Sequence, residues 1–210
     1  MKKLLILLFS FFLLITPSAF ADDISDFEIE GISIGDSLLD YMTEDYILKE
    51  IERTKDYYLY LNEPNKYAHV FLGKDFWTYG ALTFFVKNNG ANKYVTNKNK
   101  NEKYTILAVR GKIDFIEDFD SCIQERNKIS ESLSIMFSNA QRDEEIHPFS
   151  SDPSGNSIWD GIYFEFDSGG QIDVYCTDLE ETFRIKRNAP EGLSVSILTS
   201  EIRSWLQNKK

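Results

Sequence analysis

Apolar and polar residues alternate along several parts of the chain, and this period of two is typical of strands with one solvated face. Three such runs, rich in β-branched and aromatic residues, predict consecutive strands in "KYAHVFLG", "GALTFFVKN" and "KYTILAVRGKIDF". In the third run Leu107, Val109 and Ile113 share one side, and Arg110 and Lys112 share the other. This alternation predicts an antiparallel sheet with one face in contact with water.

The hydrophobic period changes to that of a helix in three other places. The strongest is "DFDSCIQERNKISESLSIMF", where Cys122 lies in an apolar stripe whose single charged member is Arg126. Upstream, "DSLLDYM" and "TEDYILKEIERT" predict one broken helix or two short ones, with Ser37 and Thr43 as N-caps. A terminal helix is predicted from about Ser200.

The second half of the chain predicts two hairpins, "GIYFEF" with "QIDVYC" and "TFRIKR" with "LSVSIL". The polar stretch before them, "RDEEIHPFSSDPSGNS", is predicted to be a loop, and "DFEIEGISI" near the N-terminus a short half-exposed strand. The predicted order is α–βββ–α–ββββ–α. We therefore expect an α+β domain over residues 22–210, with helices packed on one face of one or two antiparallel sheets. A division into two sub-halves, about 22–117 and 118–210, is the alternative.

The first 21 residues have the three parts of a secretory signal peptide. Lys2 and Lys3 precede an apolar stretch over residues 4–15, and "AFA" ends at Ala21 as a small-x-small cleavage site. A retained anchor is not expected, because roughly 20 apolar residues are needed to cross a bilayer. We predict cleavage after Ala21, no stable membrane insertion, and a periplasmic or secreted protein.

The charge of the chain narrows the class of partner. Removing two of the 23 Lys and Arg residues with the signal leaves 21 against 34 Asp and Glu, a net charge of −13. Phosphate backbones repel so acidic a chain, so nucleic acid is excluded as a partner.

Two cysteines, Cys122 and Cys176, are the only thiols of the chain. Each lies on the apolar side of its predicted element, and an even pair in an oxidising compartment predicts one disulfide. Two unpaired buried thiols are the alternative.

Metal and cofactor chemistry has little support in the sequence. The two histidines, His69 and His147, do not stand at a helical ligand spacing, so no zinc site is predicted. The run "DPSGNSIWDG" lacks the Gly and Glu positions of a calcium loop and predicts a turn. We predict neither a metal nor a cofactor.

The string "GISIGDSLLDY" contains G-D-S-L and resembles the nucleophile motif of the GDSL-type esterases and lipases. That resemblance implies a nucleophilic Ser37, Asn92 as an oxyanion donor and His147 as the base, with Glu144 in place of an Asp. Those enzymes have a parallel sheet, which three consecutive strands without intervening helices cannot build. Ser37 as the N-cap of a helix accounts for the same G-D-S-L string, and we favour this interpretation.

Several strings together resemble exported proteins of small-genome marine alphaproteobacteria. They are the signal peptide, "GISIGDSLLDY", "YTILAVRGKIDF" followed by "DSCIQERNKI", and the frequent Asn, Lys and Ile. This resemblance implies compartment and lineage but no activity. The functional hypothesis is a non-enzymatic periplasmic or secreted module that binds a protein or an envelope ligand. The alternative is a divergent GDSL-type serine esterase that uses Ser37 and His147.

Overall fold

A computed structural model describes residues 24–56, 66–73, 79–91 and 103–208 of the chain. Residues 1–21, the predicted signal peptide, and Asn92 lie outside the described residues. In the described part of the chain, seven strands form one antiparallel sheet in the order β1-β2-β3-β7-β6-β5-β4. They are β1 (Tyr67–Gly73), β2 (Ala81–Lys87), β3 (Ile106–Asp114), β4 (Gln141–Pro148), β5 (Ile158–Glu165), β6 (Gln171–Asp178) and β7 (Gly192–Leu198).

The described residues contain four α-helices beside the sheet: α1 (Glu44–Thr54), α2 (Phe119–Met136), α3 (Glu181–Arg187) and α4 (Ser200–Gln207). The α+β class and the order of three strands, a helix and four strands are confirmed. Both halves of the chain build the same sheet, because β7 inserts between β3 and β6.

Two elements differ from their sequence-based predictions. The segment predicted as a loop contains β4, whose eight residues are all exposed and mostly charged or polar. Such an edge strand carries no alternating hydrophobicity that could reveal it. The segment "TFRIKR", predicted as a strand, is α3. Because β6 pairs directly with β7, the sheet has no strand position between them.

The N-terminal segment also differs from its prediction as a short strand. A 3-10 helix over Ile24–Asp26 is followed by a tight turn that closes on a bridge between Ile29 and Ile32. Glu30 and Gly31 make this turn with positive φ angles of 55° and 72°. The predicted broken helix is two helices, a 3-10 helix over Leu38–Asp40 and α1, and both predicted N-caps are confirmed.

We call the side of the sheet that packs against α2 the first face. One row of its side chains, perpendicular to the strands, is apolar throughout and at most 1 % exposed. The row consists of Phe84, Val109, Ile197, Ile172 and Phe164. The predicted Cys122–Cys176 disulfide ties α2 to β6 beside this core, with the two Cα atoms 6.0 Å apart. Arg126, the charged member of the α2 stripe, pairs with Asp160 of β5.

The opposite side, the second face, receives α4. Ile202 and Trp205 of that helix pack on Tyr67, Phe85 and Leu198. The alternation in the sequence predicted Leu107 on the same face as Val109, which is the first face. In the structure Leu107 belongs to the second-face cluster instead. A register shift between Phe85 and Val86 leaves Leu107 without a cross-strand partner, and this β-bulge turns its side chain over.

Candidate functional site

A row of polar side chains crosses the second face at right angles to the strands. The cross-strand register places these residues side by side on five neighbouring strands: Thr83, Arg110, Ser196, Asp173 and Tyr163. We call them the polar row. Each is next in sequence to a member of the apolar row of the first face, so the alternation of each strand brings the two rows back to back.

The polar row is well removed from water at its centre. Ser196 is 1 % exposed and Asp173 is 9 % exposed. The Arg110 Nε–H donates to Ser196 Oγ over 2.8 Å, and the Gln171 side-chain amide donates to Asp173 Oδ1 over 2.5 Å. Burial of a polar group costs free energy that hydrogen bonds only partly return. A polar row in the middle of a sheet therefore indicates a role other than stability.

A groove of about 650 Å³ lies above this row, between the sheet and α4. Arg110, Asp173 and Gln171 form part of its floor, and Arg203 and Gln207 line it from α4. Its apolar walls are Phe85, Leu198 and Leu206, and its aromatic end is formed by Trp159 and Tyr163. This volume, and apolar walls around a few convergent polar groups, are typical of small-molecule binding sites.

The aromatic end of the groove is held by ring stacking. The Trp159 ring stacks on Tyr175, with centroids 4.2 Å apart, and on Phe149, with centroids 6.4 Å apart. Gly161 leaves the space that Tyr163 occupies, since a Cβ atom there would lie 2.5 Å from the Tyr163 hydroxyl oxygen. These contacts fix the wall before any ligand arrives.

Burial and neighbouring charges perturb the titration of the groove residues. Burial raises the pKa of Asp173 to about 6, although Arg110 and the Gln171 amide favour its ionised form. Burial, followed by the charge of Asp173, raises the pKa of Tyr163 to about 12. Lys112, two residues beyond Arg110 on the same face, has its pKa lowered to about 8 by burial and by Arg110. Asp173 and Tyr163 line the groove, whereas Lys112 lies outside its lining. Two perturbed groups at one concave surface are a mark of functional sites.

The rim on the α4 side is set by an ion pair. Arg203 donates through both terminal nitrogens to the Glu165 carboxylate, over 2.7 Å and 3.1 Å. This fork fixes the guanidinium of Arg203 beside the groove. The charges of Arg110 and Arg203 are thus balanced by those of Asp173 and Glu165.

The serine of the G-D-S-L string has a structural role. Ser37 is fully buried as the N-cap of the 3-10 helix Leu38–Asp40. Its hydroxyl donates to the carbonyl of Lys103 over 2.6 Å and accepts from the N–H of Leu39 over 3.3 Å. The predicted cap is therefore present.

The structure does not bring His147 to Ser37. Ser37 bridges to Thr105, just before β3, whereas His147 lies on β4 at the far edge of the sheet. Four strand spacings separate β3 from β4, about 19 Å across the sheet. His147 contacts Glu145 at 2.7 Å, and Glu144 pairs with Arg142. The base that the esterase hypothesis requires is thus remote from the serine.

The turn predicted in "DPSGNSIWDG" is organised by Asp152. Its carboxylate accepts from the N–H groups of Ser154 and Ser157 and from both of their hydroxyls. These bonds, those of Ser154 first, lower the pKa of Asp152 to about 2. In the described part of the chain, no three His, Cys, Asp or Glu side chains gather as metal ligands would.

Sequence reasoning placed Arg110 and Lys112 on the polar side of a strand but missed the groove. The same alternation puts Asp173 and Tyr175 on one side of "QIDVYC", and Ser194 and Ser196 on one side of "LSVSIL". Only the strand order places these sides next to each other.

Comparisons with protein-family models, with curated proteins and with solved structures find no match to this chain. Among the described helices, none combines the length and the apolar character that a membrane crossing requires.

Proposed function

We propose that this chain is a non-enzymatic binding protein of the periplasm or the extracellular space, with its ligand site in the groove of the second face. The observation that carries the proposal is that three residues of the polar row, Arg110, Asp173 and Tyr163, line a groove of about 650 Å³ with apolar and aromatic walls. This combination orients a ligand by hydrogen bonds and holds it by apolar contact.

The ionisable side chains of the groove support binding more than catalysis. Asp173 is held by the Gln171 amide, Arg110 by Ser196, and Arg203 by Glu165. A general acid or base needs an open path to the proton that it transfers. Groups held in this way instead present an ordered pattern of donors and acceptors to a ligand.

The signal-peptide pattern of residues 1–21 supports export. The Cys122–Cys176 disulfide supports it as well, because such bonds persist in oxidising compartments.

A pair of tryptophan substitutions on α4 tests the site. Leu206→Trp fills the groove from its apolar wall, whereas Ser204→Trp adds the same ring to an exposed position of the same helix. We expect a small-molecule library to yield compounds that raise the melting temperature of the wild type and of Ser204→Trp but not of Leu206→Trp. Compounds that stabilise all three proteins equally would place the binding site elsewhere and overturn the proposal.

A further inference from the structure

The charge balance of the groove disfavours a charged ligand. The two guanidinium groups that line it, Arg110 and Arg203, are matched by the carboxylates of Asp173 and Glu165. The chain as a whole is strongly acidic, with 34 acidic against 23 basic residues. An anion is repelled by that surplus, and a cation meets two fixed guanidinium groups at the site. A neutral ligand avoids both costs.

The floor of the groove requires a ligand that both donates and accepts hydrogen bonds. Arg110 offers N–H donors, and Asp173 offers a carboxylate acceptor on the second strand away. Ser196 lies between them in the polar row. A ligand with several hydroxyl groups that lies above Ser196 can accept from the guanidinium at one hydroxyl and donate to the carboxylate from another. A purely apolar ligand would remove water from both charged groups and return no hydrogen bond to either.

The amide side chains at the margins extend this pattern. Gln171 and Gln207 each line the groove and carry both a donor and an acceptor. Hydroxyl groups on adjacent carbon atoms match such planar polar side chains well, because each hydroxyl can serve either function. The ligand therefore needs several hydroxyl groups and not one.

The walls require an apolar side on the same ligand. Phe85, Tyr163 and Leu206 present carbon surface to the groove above the polar floor. A pyranose ring has this amphipathic form, since hydroxyl groups project from its edge while C–H groups cover its faces.

From this combination we infer that the groove binds a short neutral saccharide. The inference rests on the proposed function, because it names the ligand class of the same site.

A glycan array with neutral and acidic members, followed by calorimetry on the best neutral hit, tests this inference. The full chain, expressed for export, is the protein used. We expect binding to neutral glycans, and an affinity at least tenfold lower in Asp173→Ala and in Arg110→Ala. Asp143→Ala is the matched control, because Asp143 continues the same cross-strand row on exposed β4 outside the groove. Its affinity should equal that of the wild type.

The other outcomes separate the two proposals. Preferential binding of acidic glycans would overturn the inference of a neutral ligand. If no glycan binds while library compounds still distinguish Leu206→Trp from Ser204→Trp, the saccharide is wrong and the binding groove stands. If neither a glycan nor a library compound binds in a way that depends on the groove, both proposals fail.

Discussion

The two faces of the sheet are made by neighbouring residues of the same strands, yet their chemistry is opposite. Val109, Ile172 and Phe164 point into the core under α2, and the adjacent Arg110, Asp173 and Tyr163 line the groove. The first face also carries the disulfide. The first face thus supplies most of the stability of the fold. The second face can therefore carry polar groups that lower the free energy of unfolding.

Charges on the two faces are treated differently as well. On the first face the buried charge of Arg126 forms an ion pair with Asp160. On the second face Arg110 bonds to the neutral hydroxyl of Ser196, and Asp173 accepts from the neutral amide of Gln171. The first arrangement fixes α2 on the sheet. The second holds Arg110 and Asp173 at the groove through neutral side chains.

The largest difference between the faces is expected from two adjacent residues of β5. Phe164→Ala removes a side chain that is 1 % exposed in the first-face core, and we expect the free energy of unfolding to fall by about 3–5 kcal/mol. Tyr163→Ala removes a partly exposed ring of the groove wall, and we expect a loss of roughly 1 kcal/mol. Urea unfolding of both variants beside the wild type measures the difference.

Ligand binding should rank the same two variants in the opposite order. Tyr163→Ala should lose affinity for a groove ligand, whereas Phe164→Ala should keep it wherever the protein is folded. Equal losses of stability would show that the second face is a core of the same kind as the first, and the comparison would fail.

The next largest effect concerns the pH dependence of stability. Burial raises the pKa of Asp173 from its ordinary value of 3.8 to about 6, so the folded state binds this proton more tightly than the unfolded state. Acidification from pH 7 to pH 4 therefore adds stability through this group, and ionisation above pH 6 removes it. Asp173→Asn should be more stable than the wild type by roughly 2 kcal/mol at pH 7.5 and by almost nothing at pH 4.

His69 contributes to the pH dependence of stability with the opposite sign. Its contribution is the same in the wild type and in Asp173→Asn, so it cancels when the two are compared. Burial lowers its pKa from 6.5 to about 4, so acidification below pH 6.5 favours the unfolded state. Both proteins retain His69, and the difference in their urea midpoints across pH isolates Asp173. A difference that is constant from pH 4 to pH 7.5 would contradict the assignment of the buried ionised carboxylate.

Much of the fold was accessible from the sequence because hydrophobic period and capping are local signals. The apolar stripe of α2, the alternation in β3 and the capping hydroxyls of Ser37 and Thr43 all predicted their elements correctly. The failures were equally physical. β4 has no buried side to produce a period, and the bulge at Leu107 reverses a side chain without any mark in the letters.

The candidate site was less accessible, because it depends on strand order. Arg110 and Asp173 are distant in sequence and become neighbours only when β7 inserts between β3 and β6. Alternation could place each of them on a polar side, but not on the same one. The G-D-S-L string was the more conspicuous signal, yet its serine and His147 lie on opposite parts of the sheet.

The smallest effects separate a buried serine from an exposed histidine. Ser37→Ala removes an N-cap whose hydroxyl also holds the carbonyl of Lys103, and we expect a loss of about 1 kcal/mol in the free energy of unfolding. His147→Ala alters only an exposed residue of β4, and its stability should stay within roughly 0.5 kcal/mol of the wild type. The wild type and both variants should leave p-nitrophenyl acetate to hydrolyse at the uncatalysed rate. An esterase activity that each substitution abolishes would require Ser37 and His147 to act together across four strand spacings, and it would contradict a purely structural role for Ser37.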